Sequence, residues 1–139
     1  MELIFFSYRE LTTETDKVLD NIKFGKIHHK IIYFVGRQKN IKIKELLKIL
    51  QISKQSFSRV LNQLVKHEYL MVSRGYDKRS KNLSLTTKGS TLENNLSLLQ
   101  INKIRNILRN ADENDINSFK KILYAMIDDK SKKILNELK

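Results

Sequence analysis

Asp77-Lys78-Arg79-Ser80-Lys81-Asn82-Leu83-Ser84-Leu85-Thr86-Thr87-Lys88-Gly89 decides how this chain folds. Lys78, Arg79 and Lys81 crowd one tight turn beside a single acid, Asp77. Leu83 and Leu85 then alternate with polar residues, the period of a short strand with one inward face. Thr86 or Thr87 starts a helix, because a hydroxyl can accept a hydrogen bond from a free N–H group of the first turn. Upstream, Leu70-Met71-Val72-Ser73-Arg74 reads as the partner strand, and Gly75-Tyr76 bends into the tip. The segment is a β-hairpin with a basic end.

Two helices lead into it. Lys44 to Leu50 forms a compact helix burying Leu46, Leu47 and Leu50, and Ile41-Lys42-Ile43 before it alternates like a short strand. After Gln51-Ile52, Ser53 is a good N-cap for a helix from Lys54 to about His67. On that helix Phe57, Val60, Leu61, Leu64 and Val65 recur as one apolar stripe. The opposite face carries Lys54, Gln55, Ser56, Ser58, Arg59, Asn62 and Gln63. Arg and Lys suit guanine edges, Gln and Asn suit adenine, and hydroxyls suit either. The free N–H groups behind Ser53 favour a phosphate. A short helix, a three-residue turn, a polar-faced helix and a basic hairpin make the layout of a winged helix-turn-helix, in which one element enters the major groove while the tip reaches phosphates or the minor groove.

Charge is distributed to match. The chain holds 27 Lys and Arg against 15 Asp and Glu, a formal +12. Residues 23 to 89 contain 16 of those bases and three acids (Glu45, Glu68 and Asp77), so the excess lies wholly in that segment. A cation-rich block between near-neutral flanks is the footprint of a polyanion-binding module. A Lys-rich composition alone would raise Lys everywhere and would not spare the flanks. The candidate DNA contacts are Ser53, Lys54, Gln55, Ser56, Ser58 and Arg59 on the helix, with Arg74, Lys78, Arg79 and Lys81 on the hairpin.

The rest of the chain is helical. Residues 1 to about 22 carry Leu3, Phe6, Leu11, Val18, Leu19 and Ile22, and a second helix carries Ile27, Ile31, Ile32, Phe34 and Val35 and stops around Gly36. From Thr86 a long helix presents Leu92, Leu96, Leu99, Ile104 and Leu108, and Asp112 caps a last stretch running on to Leu138. The expected fold is mainly α with a small β-hairpin wing: one domain over 1–139, with 24–89 the winged helix-turn-helix and 1–23 and 90–139 dimerisation helices. The terminal helices hold more apolar surface than one small module covers, and pairing with a second copy across a two-fold axis is the economical solution. No apolar run approaches the roughly 18 residues that span a bilayer, and Leu3-Ile4-Phe5-Phe6 lacks the flanks of a signal peptide. The chain has no cysteine, which excludes disulfides and Cys-based zinc sites within it; a cytoplasmic location is expected. No Gly-rich phosphate loop, Cys nucleophile or His–carboxylate grouping suggests an enzyme, and no cofactor or metal is expected.

The order of these elements, with Ile41-Lys42-Ile43, Glu45-Leu46-Leu47, Ile52-Ser53-Lys54-Gln55-Ser56, Val60-Leu61, Leu64, Asp77-Lys78-Arg79 and Leu85-Thr86-Thr87-Lys88-Gly89, resembles the MarR/SlyA family. The Asp-x-Arg wing followed by Leu-Thr-x-x-Gly is the most specific part. Gly25-Lys26-Ile27-His28-His29, Tyr33-Phe34-Val35-Gly36-Arg37, Ser53-Lys54-Gln55-Ser56 and Arg59-Val60-Leu61 look, more narrowly, like the PetP-like alphaproteobacterial branch. The resemblance implies a homodimeric transcriptional regulator on a palindromic double-stranded operator, with recognition helices in successive major grooves and wing arginines in flanking minor grooves. It also implies a small-molecule effector, which members often bind in a cleft between the dimerisation and DNA-binding lobes. Two departures stand out: Lys39-Asn40 replaces a Pro-Gly-like turn, and the wing is about two residues shorter before Asp77. Asp77 is expected to orient Arg79 or another base, because a carboxylate facing phosphate is repelled.

His28 and His29 are the candidate ligand-cleft residues. As helix neighbours they point about 100° apart, so they cannot readily chelate one metal. One in the cleft and one against the dimer core could hydrogen-bond a carboxylate ligand or serve structure alone. The rival from another class is a sequence-indifferent nucleoid or RNA-binding protein using the same basic surface. It would need only lysines where this helix offers Gln55, Ser56, Ser58 and Arg59.

Overall fold

The computed structural model describes residues 1–75 and 80–138, which divide into two compact units, Met1–Gln100 and Ile101–Lys139. The elements are α1 (Glu2–Asn21), α2 (Lys26–Arg37), β1 (Ile41–Lys42), α3 (Ile43–Leu50), α4 (Lys54–Lys66), β2 (Leu70–Arg74), β3 (Lys81–Leu85), α5 (Thr87–Ile107), a short 3-10 turn (Leu108–Asn110), α6 (Glu113–Met126) and α7 (Asp129–Glu137). The unit boundary falls within α5. The chain is mainly helical, with one three-stranded antiparallel sheet in the order β1-β3-β2. Leu70 pairs with Leu85, Val72 with Leu83, and Arg74 with Lys81, while Ile41 of β1 pairs with Leu83.

Apolar periodicity accounts for the core of the first unit. Ile31, Ile32 and Val35 of α2 meet Leu46 of α3, Phe57, Val60 and Leu64 of α4, and Ile41, Leu70 and Leu83 of the sheet, with Leu19 and Leu96 from α1 and α5. Residues with positive φ make the sharp corners: Lys23 before α2, Asn40 before β1, Gln51 at the end of α3 and Glu68 before β2. Asn tolerates that region better than most side chains, which suits the Lys39-Asn40 turn.

The Leu-Thr-x-x-Gly segment has a physical explanation. Thr86 Oγ1 donates to the Glu68 carbonyl at 2.6 Å and accepts the Gly89 N–H at 3.0 Å, so one hydroxyl ties the start of α5 to the turn before β2. A Cβ at Gly89 would lie 2.0 Å from the Tyr69 carbonyl oxygen. Only glycine lets α5 approach that closely.

Helix α2 ends at Arg37, one residue past Gly36, where a Cβ would stand 3.1 Å from side-chain carbons of both Glu93 and Leu85, so glycine serves close packing there as well. Three expectations need correction. Ile43 is the first residue of α3 rather than strand. Val65 is 37% exposed and falls off the edge of the buried stripe of α4. The stretch after Asp112 is two helices, because Asp128 accepts the Ser131 N–H at 2.7 Å and caps a second start. Asp112 does cap α6, accepting from the Asp115 N–H at 2.8 Å.

Candidate nucleic-acid interface

Helix α4 is built from its cap outward. Ser53 Oγ accepts the Ser56 N–H at 3.1 Å and donates to Ser56 Oγ at 3.0 Å, so both hydroxyls take part in the cap. Ser56 is half-buried beside it. Phe57, Val60, Leu61 and Leu64 face the core, which turns Lys54, Gln55, Ser58 and Arg59 to solvent. Four exposed side chains of donor and acceptor type on the first two turns, over a fully buried opposite face, give a rigid rod with a chemically varied outer edge. Gln63 is exposed, and its Oε1 lies 2.8 Å from Nε2 of His28.

Behind α4 stands the hairpin. Arg74 and Lys81 are both exposed and are direct cross-strand partners. Like charges directly opposite on a ladder are destabilising, by some tenths of a kcal/mol up to about 1 kcal/mol, unless something anionic lies against them. Gly75 N–H donates to the Ser80 carbonyl at 2.9 Å, closing the described end of the ladder. The expected wing contacts Lys78 and Arg79, and Asp77 with them, lie outside the described residues. Lys44 on α3 adds a further exposed base.

The two histidines differ. His28 is 8% exposed, stacks on Phe24 with centroids 4.4 Å apart, and accepts the Gly25 N–H on Nδ1 at 3.1 Å. Burial pushes its pKa below the ordinary histidine value, and Arg59 adds repulsion, against the opposing pull of the Gln63 and Gly25 hydrogen bonds. His29 lines a pocket of about 230 Å³ with Tyr8, Asp16, Lys26, Lys30, Tyr33 and neighbouring residues of the first unit. Burial lowers its pKa too, opposed by Asp16 and Glu93. In that pocket Lys26 sits over the Tyr8 ring at 5.0 Å and pairs with Asp16 at 3.6 Å.

A buried polar cluster lies next to the pocket. Glu93, 5% exposed, accepts Ser97 Oγ at 2.6 Å and pairs with Arg37 Nη1 at 3.1 Å, while Arg37 Nη2 donates to Ser97 at 3.2 Å. The Arg37 guanidinium lies 4.7 Å over the Tyr33 ring. Gly89, Glu93 and Ser97 recur every four residues, a polar seam visible in the sequence beside the Leu92–Leu96 stripe.

The model of the MarR family matches residues 24–80. The chain is 37% identical over 130 residues to the HTH-type transcriptional regulator PetP of Rhodobacter capsulatus, covering 92% of this chain and 78% of that protein. The chain belongs to the MarR family. This MarR-family member is a transcriptional regulator, not an enzyme. In fold it is similar to a SlyA-like transcription regulator of Listeria monocytogenes, with a TM-score of 0.77, 19% identity, and coverage of 97% of this chain and 91% of that one. It is similar also to a MarR-family regulator of the same organism solved with a 26mer DNA, with a TM-score of 0.77, 20% identity, and coverage of 95% and 89%. The regulator has no helix among its described residues that is long and apolar enough to cross a membrane.

Proposed function

We propose that the protein is a dimeric, sequence-specific DNA-binding regulator that lays α4 in the major groove, carries the wing to the flanking minor groove, and answers to a small effector. The observation that carries this reading is the exposed edge of α4, where Gln55, Ser58 and Arg59 offer hydrogen-bonding chemistry that a phosphate-coating protein does not need. Ser53 and Ser56, held in the cap, present the helix N-terminus to a phosphate, and Lys54 adds charge. Arg74 and Lys81 supply backbone attraction beside them, and the charges of Lys78 and Arg79 add to it. The Listeria regulator solved with DNA supports this use of the fold.

Dimerisation is supported by uncovered apolar surface. Leu3, Phe5 and Phe6 on α1 are 81%, 67% and 54% exposed, and Phe119, Ile122 and Met126 on α6 are exposed as well. A second copy, through residues 1–23 and 90–139, is the occupant that a two-fold operator requires. The His29 pocket, with tyrosine rings and the ammoniums of Lys26 and Lys30, suits a small organic carboxylate.

The test is selection of a preferred duplex from random sequence, followed by affinity for that duplex and for a scrambled one. Arg59→Ala should cost specific binding about 1–3 kcal/mol and leave scrambled binding little changed. An unchanged ratio removes Arg59 from base reading. If no duplex is preferred, the protein coats nucleic acid without reading it.

A further inference from the structure

His28 has both ring nitrogens engaged, and the two bonds fix its chemistry. Nδ1 receives the Gly25 N–H, so the single proton of a neutral ring must sit on Nε2, where it donates to Gln63 Oε1. Gly25 is the N-cap of α2 and Gln63 lies on α4, one turn beyond Arg59. The ring is thus a bracket from the start of one helix to the side of the recognition helix. Phe24 covers its flat face at 8° from parallel, and Phe24 also meets His67 and Tyr69 edge-on at 6.0 and 5.1 Å.

We infer that His28 is a positioning residue for DNA recognition, whose neutral ring holds α4 in register through Gln63 and whose protonation releases it. The proposal rests on the reading of α4 as the base-reading helix. A second proton can enter only on Nδ1, which would then point an N–H at the Gly25 N–H. The ring must turn away, and turning it breaks the Gln63 bond and the stack on Phe24 together. Arg59 on α4 is the charged group that acts on the ring, and its effect is repulsive. His67, at the end of α4, and Tyr69, in the turn before β2, are the other titratable side chains at this site and stand edge-on across Phe24. Burial and Arg59 both oppose the imidazolium, so the neutral bracket persists through the neutral pH range and gives way in acid.

The consequence runs against ordinary electrostatics. Acid adds positive charge to any histidine-bearing protein, which strengthens attraction to phosphates on every duplex. Release of α4 instead lowers preference for the chosen sequence. The experiment measures the ratio of affinities for a duplex selected near neutral pH and for its scramble, at fixed salt, at about pH 7.5 and about pH 5.5, with helicity monitored by circular dichroism. Wild type should lose roughly fivefold or more of that ratio in acid while its affinity for scrambled DNA holds or rises. His28→Gln can accept from Gly25 and donate to Gln63 without titrating, so it should keep its ratio at both pH values. His29→Gln and His67→Gln should fall as wild type does. A wild-type ratio that stays flat or rises in acid, or a His28→Gln ratio that falls as steeply as wild type, overturns the proposal. Absence of any preferred duplex at pH 7.5 overturns the reading of α4 and this inference with it. NMR of the unmodified protein gives a second reading: an Nε2–H tautomer for His28 and α4 amide shifts that titrate with its ring support the bracket. An Nδ1–H tautomer, or α4 amides indifferent to that titration, refutes it.

Discussion

Helix α4 and the first half of α1 use the same kinds of residue to opposite ends. In α4 four large apolar side chains are buried within the chain's own core, and its polar edge is left outside. In α1 only the C-terminal half, around Thr15 and Leu19, is buried, while Leu3, Phe5, Phe6 and Tyr8 stand in solvent. One helix is finished by this chain alone and the other is not. Outward chemistry on a finished helix is free for a ligand of another kind. Outward apolar chemistry on an unfinished one calls for more protein.

Breaking the unfinished side gives the largest effect. Phe5→Asp should weaken self-association by about 3–6 kcal/mol, since a two-fold interface counts the lost burial twice. Light scattering should show monomers at concentrations where wild type is dimeric, with helicity retained. A mass unchanged by the substitution would return α1 to an ordinary exposed helix.

Breaking the finished side is the next largest. Gly89→Ala gains some helix propensity but drives a methyl into the Tyr69 carbonyl, and should cost about 1–3 kcal/mol in urea unfolding. Unchanged stability would mean that α5 and the Tyr69 turn can separate without loss.

Acid should act on the same side more gently. His28 and His29 both have folded pKa values below the ordinary value of 6.5, so the folded state resists the proton that the unfolded chain accepts. Stability is therefore full above that value and declines as pH falls through it toward the lowered folded values. Urea midpoints at a series of pH values check this; a midpoint that rises on acidification through this window contradicts it.

The smallest effect concerns the wing. Arg79→Lys keeps the charge but loses the guanidinium that is less costly to desolvate in a narrow A·T-rich minor groove. Affinity should drop mainly on operators with A·T-rich flanks. An equal drop on all flanks, shared by Asp77→Ala, would assign Arg79 to bracing the hairpin, and no drop would remove it from the interface.

The finished half was the more legible in sequence, for a physical reason. Helix periodicity, the Ser53 cap and the alternating strand residues are local signals, and they led to the winged fold and its family. Long-range approach is not local. The close packing at Gly36 has no local signal because its contact partners, Glu93 and Leu85, lie about fifty residues away. The bond between Gln63 and His28 has no local signal either, because the two lie 35 residues apart. Neither Gly nor Pro marks the break at Asp128; an Asp cap alone divides α6 from α7. The Glu93 cluster was hidden by its company, a charged residue one position from the apolar stripe of α5.

The most direct test is the stoichiometry and half-site requirement of the protein on its selected operator. The account predicts two chains on one duplex, bound cooperatively, with recognition sequences about one helical turn apart and steep loss when either half is scrambled. Chains that bind independently, with equal affinity for an isolated half and for the full operator, would contradict it.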